Sequence, residues 1–525
     1  MPDPSTTLLG TESTLALIRM LRIVFLLLLT ITTICMMALP LPKAKKTKLS
    51  PLFAIATTLS LIAILAYQAT WQLAGFRHHA FMAFMRRHNP RPDAAEKQVK
   101  RGTIYDINGV KLASSIDNDP NQRLYPLGPA AAHVVGYAHP FYGLAGVERA
   151  ANASLTGAAL TTRREREQFG RNLLARTEAE GLYQALTIDA RLQQHAYDLL
   201  ANRPGAVVAI TPKGAIRVLV SSPSFDPTNP IPSGKDQARM LNRALQGRYP
   251  PGSTFKIAIA LMAAAQRLAP TYDCPAQGFY AAPHTSPIRD STYWEYKRRN
   301  ETWAGYGRLG LADAFARSSN VYFAQLGLAC GAERFNIMAE AAHINERIPI
   351  FSSSDSTISS AAGNLKQLAP KQRAAIAQHA IGQGTLLMTP LHVAMLTAAV
   401  AAKGELWQPY LNARSEPLLM NRLATPAAAA TVAALMRQTV TSGTGRNANI
   451  PDFEVCGKTG TAEVSGSPDH AWFTCFVPYH NPQLIITVII EHGGFGATSA
   501  LPVARDLLQQ AIQLGLVTNP SHSTP

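Results

Sequence analysis

Charge is scarce in this 525-residue chain: 16% of residues are Asp, Glu, Lys or Arg, and the 33 acidic ones are outnumbered by 49 basic ones. The formal charge of +16 suits a surface that works near anionic lipids or polymers. No nucleic-acid partner is indicated, since zinc-finger spacing and an RNP-like box are both missing. Cysteine is scarce too. Cys35, Cys274, Cys330, Cys456 and Cys475 form no C-x-x-C pair and match no histidine pattern of a zinc site. The chain also lacks HExxH, a glycine-rich phosphate loop and a dinucleotide fingerprint. No metal and no cofactor are therefore expected. In an oxidising compartment Cys274 and Cys330, or Cys456 and Cys475, are possible disulfide partners; buried free thiols are the alternative.

Hydrophobic residues make up 47% of the chain, and two uncharged runs explain the excess. Residues 23–42 and 49–76 each reach the roughly 20-residue length that spans a bilayer. A signal peptide fits the first run less well, because its apolar part is long and no A-x-A-like site comes after it. Two transmembrane helices are expected after an N-terminal segment, residues 1–22. The basic loop 43–48 between them belongs in the cytoplasm by the positive-inside rule. Everything after Phe76 then lies outside the plasma (inner) membrane, although Arg19, Arg22, Arg77, Arg86 and Arg87 weigh against that orientation.

One short stretch carries chemistry. Pro250-Pro251-Gly252-Ser253-Thr254-Phe255-Lys256 sets a serine and a lysine three residues apart, where a turn enters an apolar helix read from Thr254 to Ala265. Residues three apart share a helix face, so the serine stands beside its own base. Ser-x-x-Lys alone is weak, since roughly one or two arise by chance in a chain this long. Two further motifs come later in the chain: Ser318-Ser319-Asn320, breaking an amphipathic helical pattern, and Lys458-Thr459-Gly460-Thr461 between two strand-like runs. Singly, serine and asparagine are common caps and Lys-Thr-Gly is a common turn.

Ser-x-x-Lys, Ser-x-Asn and Lys-Thr-Gly in that order resemble the motif set of the penicilloyl-serine transferases. Upstream, RGTIYDINGVKLA (Arg101 to Ala113) is similar to a box of class B penicillin-binding proteins, with Ile107 where an arginine is usual. GLAGVERAANASLTG, LTIDARLQ, SPSFDPTN, IGQGTLLMTPLHVA and SGTGRNA extend the likeness over most of the chain after Arg101. YPLGPAAAHVVGY looks most like the penicillin-binding protein A branch. The resemblance implies an α/β (α+β) transpeptidase domain, an antiparallel sheet flanked by helices, over residues 184–518. A small N-terminal pedestal domain would occupy 77–183, and 519–525 reads as a disordered tail. The space before LTID is too short for a glycosyltransferase domain.

The resemblance also implies roles. Ser253 attacks a D-Ala-D-Ala bond and Lys256 accepts its proton, which requires a lysine pKa brought from about 10.4 to about 7 by desolvation and a neighbouring ammonium. Ser318 relays the proton between Lys256 and Lys458, and Asn320 holds Lys256 and binds the peptide amide. Thr459, Gly460 and Thr461 bind substrate, with Gly460 leaving room for the peptide backbone along an edge strand. The N–H groups of Ser253 and Thr461 form an oxyanion hole. The expected activity is a monofunctional peptidoglycan D,D-transpeptidase that cross-links stem peptides and is acylated by β-lactams, in a membrane shared with a glycan polymerase. The rivals are a D,D-carboxypeptidase or β-lactamase on the same fold, and a non-enzymatic β-lactam sensor or division scaffold. Cys456, two residues from Lys458, is expected to make the site sensitive to thiol reagents.

Overall fold

A short antiparallel turn built on one aspartate organises the N-terminal lobe. Asp106 lies between β1 (Ile104–Tyr105) and β2 (Lys111–Ile116), and its Oδ1 accepts the backbone N–H groups of Asn108 at 2.8 Å and Val110 at 2.7 Å. Such self-bonding is how Asp fixes tight turns. β3 (Asp119–Leu124) pairs with the far side of β2, and β4 (Gln184–Ala185) adds in parallel to β1, giving the order β3-β2-β1-β4. Among its described residues the lobe also carries three short helices, α1 (Pro129–Val135), α2 (Gly146–Ala150) and α3 (Asn152–Leu155). The computed structural model describes residues 99–116, 119–157, 179–230 and 234–519, with Thr58, Leu59, Ser60, Ile62 and Ile64. Those five positions are helical. The rest of both apolar runs, the segment 1–22, the basic loop 43–48 and the tail after Asn519 lie outside the described residues. Among the described residues no helix is long and apolar enough to cross a membrane.

The same aspartate joins this lobe to the larger one. Asp106 Oδ2 accepts the N–H of Ala190, the first residue of α4 (Ala190–Leu200), at 3.0 Å, while Asp189 caps the same helix through Arg191 N and Leu192 N. Asn108 Nδ2 donates to both carboxylates, at 3.1 and 2.9 Å. The Ile107 side chain is exposed at 41%, and only its backbone N–H enters the joint, bonded to Ile188 O. A residue other than arginine therefore leaves the joint intact.

Beyond α4 the strand signals resolve into one five-stranded sheet. The hairpin β5 (Gly205–Ile210) and β6 (Ile216–Ser222) joins β7 (Cys456–Val464), β8 (Ser467–Val477) and β9 (Leu484–Ile490) in the order β6-β5-β9-β8-β7, antiparallel throughout. β5 and β9 are buried along their whole length, as strands covered on both faces must be. Alternate residues divide between two cores. Val207, Ala209, Phe473, Val488 and Ile490 meet α4 and α11 (Gly496–Gln513) on one face. Val208, Ile485, Ile489 and Trp472 meet α5 (Lys256–Ala265), α8 (Asn320–Cys330), α9 (Pro390–Ala401) and α10 (Pro426–Thr441) on the other. Two further helices, α6 (Ser291–Arg298) and α7 (Leu311–Ala316), precede α8.

α11 carries a proline, Pro502, within its length. Cys456 and Cys475 are one register step apart, Cys456 opposite Phe476 and Gly457 opposite Cys475, so their side chains leave opposite faces and no bridge joins them. Cys274, Cys330, Cys456 and Cys475 are all free and buried.

Within the N-terminal lobe, Glu148 is fully buried and neutralised by two arginines, Arg101 Nε at 2.6 Å and Arg123 at 2.6 and 2.9 Å. Removing one partner of a buried ion pair strands the other charge without water. Glu148→Ala should therefore destabilise the protein by roughly 3–5 kcal/mol, seen as a lowered melting temperature; an unchanged one would mean that the arginines find water.

Candidate active site

The Pro-Pro-Gly turn runs into a single 3-10 turn, Gly252–Phe255, before α5 begins at Lys256. The turn is anchored from three sides. Gly252 N donates to Gly382 O at 3.0 Å, Tyr249 and Met388 exchange backbone hydrogen bonds at 3.0 and 2.9 Å, and Trp472 Nε1 donates to Pro250 O at 3.1 Å. Gly252 has φ +53°, and a Cβ there would stand 2.5 Å from Thr461 O. Only glycine meets both demands, which brings β7 against the serine.

Ser253 and Lys256 are adjacent as their spacing requires, Oγ to Nζ 3.0 Å. Lys256 is wholly buried, and its Nζ also lies 2.7 Å from Ser318 O, 2.8 Å from Asn320 Oδ1 and 3.4 Å from Ser318 Oγ. Two of these contacts, Ser318 O and Asn320 Oδ1, are oxygens that only accept. A neutral amine satisfies both with its two hydrogens and turns its lone pair to the Ser253 hydroxyl. Lys458, also wholly buried, donates to Ser318 Oγ at 2.7 Å and to Thr459 O at 3.1 Å. The three motifs thus converge on one hydroxyl, Ser318 Oγ, with a lysine on each side.

Ser318 reaches that place through an unusual backbone. Ser318 N bonds Phe315 O and Ser319 N bonds Ala314 O, the paired closure that ends a helix with a left-handed residue. The left-handed residue is Ser318 itself, φ +60°, where glycine is the usual occupant. A non-glycine residue there costs on the order of 1 kcal/mol, yet this conformation turns its carbonyl to Lys256 and its hydroxyl toward both lysines. Ser319 faces away from the lysines and caps α8, its Oγ accepting Tyr322 N at 3.2 Å.

Asp290 is a functional residue that the sequence pattern did not reveal. It occupies the N-cap position of α6 but makes no side-chain bond to that helix. Its carboxylate crosses instead to the start of α8, accepting Asn320 N, Val321 N at 3.2 Å and Ser319 Oγ at 3.2 Å. Thr444 is another: its hydroxyl lies 2.6 Å from that of Thr459. It falls in the SGTGRNA stretch, which carried a resemblance but no assigned role.

Gly460 has a packing role that its motif does not state. Lys458 and Gly460 leave β7 on the same side, and a Cβ on Gly460 would stand 2.9 Å from both Thr254 Cγ2 and Trp472 Cβ. The glycine admits the nucleophile turn against β7. Cys456 is sealed in the core and its thiol is pushed up by burial, which leaves it without the thiolate that alkylation needs.

Burial sets the electrostatics. It lowers Lys256 to about 7, against the pull of the Asp290 carboxylate, which favours the ammonium. Lys458 is driven well below the ordinary lysine value by burial and then by Lys256 beside it. Burial raises Asp290, while the N–H of Val321 and Lys256 oppose that rise. The arrangement can supply a nucleophile, a base half-neutral near pH 7 and a hydroxyl relay to a second amine. Among the described residues no group of side chains fits a metal ion.

Comparison with known proteins agrees with this geometry. Residues 205–509 match the penicillin-binding protein transpeptidase domain, and residues 101–175 the penicillin-binding protein A dimerisation domain. The chain is 31% identical to the peptidoglycan D,D-transpeptidase PbpA of Mycolicibacterium smegmatis, over 79% of this chain and 90% of that protein. It is 28% identical to the peptidoglycan D,D-transpeptidase MrdA of Haemophilus influenzae, over 83% and 76%. Among solved structures, penicillin-binding protein A of M. tuberculosis as a ceftriaxone acyl-enzyme is similar, with TM-score 0.69 and 27% identity over 80% of this chain and 99% of that one.

Because Lys256 is lowered to about 7, its neutral fraction grows as pH rises through 7. Acylation of Ser253 by a fluorescent acylating probe should accelerate with pH, with a half-point near 7, and Lys256→Ala should slow it by about 10²-fold or more. Asp290→Asn removes the charge that favours the ammonium, so the half-point should move to lower pH. A flat profile, or a half-point moving upward in Asp290→Asn, would contradict the assignment.

Proposed function

The chain belongs to the penicillin-binding protein transpeptidase family, and from that premise we propose that it is a peptidoglycan D,D-transpeptidase working through Ser253. The observation that carries the reading is the set of contacts at Lys256 Nζ, two carbonyl oxygens and the Ser253 hydroxyl. Ser253 Oγ attacks the carbonyl of the D-Ala-D-Ala bond and gives its proton to the Lys256 lone pair. The proton passes through Ser318 Oγ, bonded to Lys458, to the amine of the departing D-alanine. The N–H groups of Ser253 and Thr461 stabilise the oxyanion, each worth about 3–4 kcal/mol. An amine from a neighbouring stem peptide then attacks the acyl-enzyme and returns its proton along the same relay. β-Lactams acylate the same serine.

In this proposal Asn320 orients Lys256 with Oδ1 and binds the donor peptide amide with Nδ2. Thr459, Gly460 and Thr461 form the strand along which the donor lies, with Thr459 and Thr461 hydroxyls toward its terminal carboxylate. The pedestal, 77–183, carries the transpeptidase domain, 184–518, away from the membrane. The apolar runs 23–42 and 49–76 anchor the chain in the plasma membrane with its catalytic part outside, where a glycan polymerase in the same membrane supplies strands. The uncharged length of the runs and the basic loop 43–48 support this.

A carboxypeptidase or β-lactamase differs only in the acceptor, water in place of an amine. The decisive experiment labels the membrane-bound protein and its Ser253→Ala variant with a fluorescent penicillin and tracks release. The expected result is a long-lived label on the wild type and none on the variant. Rapid release would point to hydrolysis, and labelling of Ser253→Ala would remove the nucleophile assignment.

A further inference from the structure

Beside the site stands an arginine whose guanidinium has no hydrogen-bond partner among the described residues. Arg289 precedes Asp290, and its carbonyl accepts Asn320 Nδ2 at 3.0 Å, so its backbone touches the side chain assigned to the donor peptide. Its guanidinium stacks on two rings of α6, 4.7 Å from the Tyr293 centroid and 5.7 Å from that of Trp294. Neither ring is buried, and α6 has no buried residue at all. Arg289 Nε is closed off from solvent with no hydrogen-bond partner. Among the described residues the guanidinium makes no ion pair and no side-chain hydrogen bond.

An enclosed donor without an acceptor is costly, and natural folds keep few of them. Stacking fixes the guanidinium plane, and with Nε enclosed it is the two terminal nitrogens, which bond nothing among the described residues, that are left to take a ligand. A planar fork held in that way matches a carboxylate. The most direct source is the substrate, because the amide that Asn320 binds belongs to the stem-peptide residues upstream of the D-Ala-D-Ala bond.

We infer that Arg289, clamped by Tyr293 and Trp294, is a specificity subsite for a free carboxylate on the donor stem peptide, and that it discriminates against the amidated form. The inference rests on the transpeptidase reading above. It makes Asn320 and Arg289 two adjacent readers of one peptide: the first recognises the backbone amide, and the second recognises the charge of the neighbouring side chain.

The test uses a pair of N-acetylated tripeptides ending in D-Ala-D-Ala, whose first residue carries a side-chain carboxylate or the corresponding carboxamide. D-Alanine release by the full-length protein gives kcat/KM for each. The wild type should prefer the carboxylate roughly ten- to hundredfold, the range of a charge-assisted bond. Arg289→Gln should bring the ratio near one, and Arg289→Lys should keep an intermediate ratio, charged but without the planar fork. Equal turnover of both peptides by a wild type that still labels with penicillin would overturn this inference and leave the transpeptidase reading standing. An undiminished ratio in Arg289→Gln would overturn it too. Should Arg289→Gln fail to fold, the wild-type pair and Arg289→Lys decide. A wild type inert toward penicillin and both peptides would remove the transpeptidase reading and the subsite together.

Discussion

Two lysines buried beside one serine hydroxyl are the constraint around which this catalytic lobe is built. Neither Lys256 nor Lys458 has any exposed surface, and two ammonium groups cannot share so small a dry space. Burial resolves the conflict by lowering the basicity of both amines, and Ser318 Oγ lies within reach of each. Keeping a lysine neutral is a demand on the whole enclosure, because one channel of water would restore its ordinary basicity. Phe315 and Phe323, whose rings lie 5.5 Å from the two ammonium positions, close that enclosure from the helix side.

The rest of the lobe serves close approach. β7 must lie on the nucleophile turn without intervening side chains, which is met by Gly252 on one partner and Gly460 on the other. The loop at Gly382 pins the turn from a third direction. α7 must end where α8 begins, leaving a single left-handed residue whose hydroxyl lies between the two lysines. Asp290 stabilises that junction by bonding the first N–H groups of α8, where a helix welcomes negative charge, and the same charge tempers the loss of basicity at Lys256.

Much of this was legible in the chain because the relevant spacing is short. Ser253 and Lys256 share a helix face, β5 and β6 are joined by a tight turn, and the apolar runs of β8 and β9 identify themselves. The order of the three motifs indicated that Ser318, Asn320 and Lys458 would meet, although nothing local to any of them states a distance. Asp290 was hidden because a residue placed to cap its own helix caps another one thirty positions away. The packing of Gly460 on the nucleophile turn was hidden because a missing side chain does not say which side it is missing from. Cys456 and Cys475 looked like partners until the register separated them by one residue, which in a pleated strand is the difference between two faces.

The aspartate shared between the β1–β2 turn and the start of α4 bears on how the chain divides. Asp106 supplies a bond to Ala190 that α4 cannot make for itself, and Asn108 ties Asp106 to the cap residue Asp189. A fragment beginning at Gln184 would carry the entire sheet and all three motifs, yet it would start with an exposed β4 edge and a helix missing part of its first-turn satisfaction. The small lobe thus supplies part of the first-turn hydrogen bonding of the larger one, across the sequence boundary between the two.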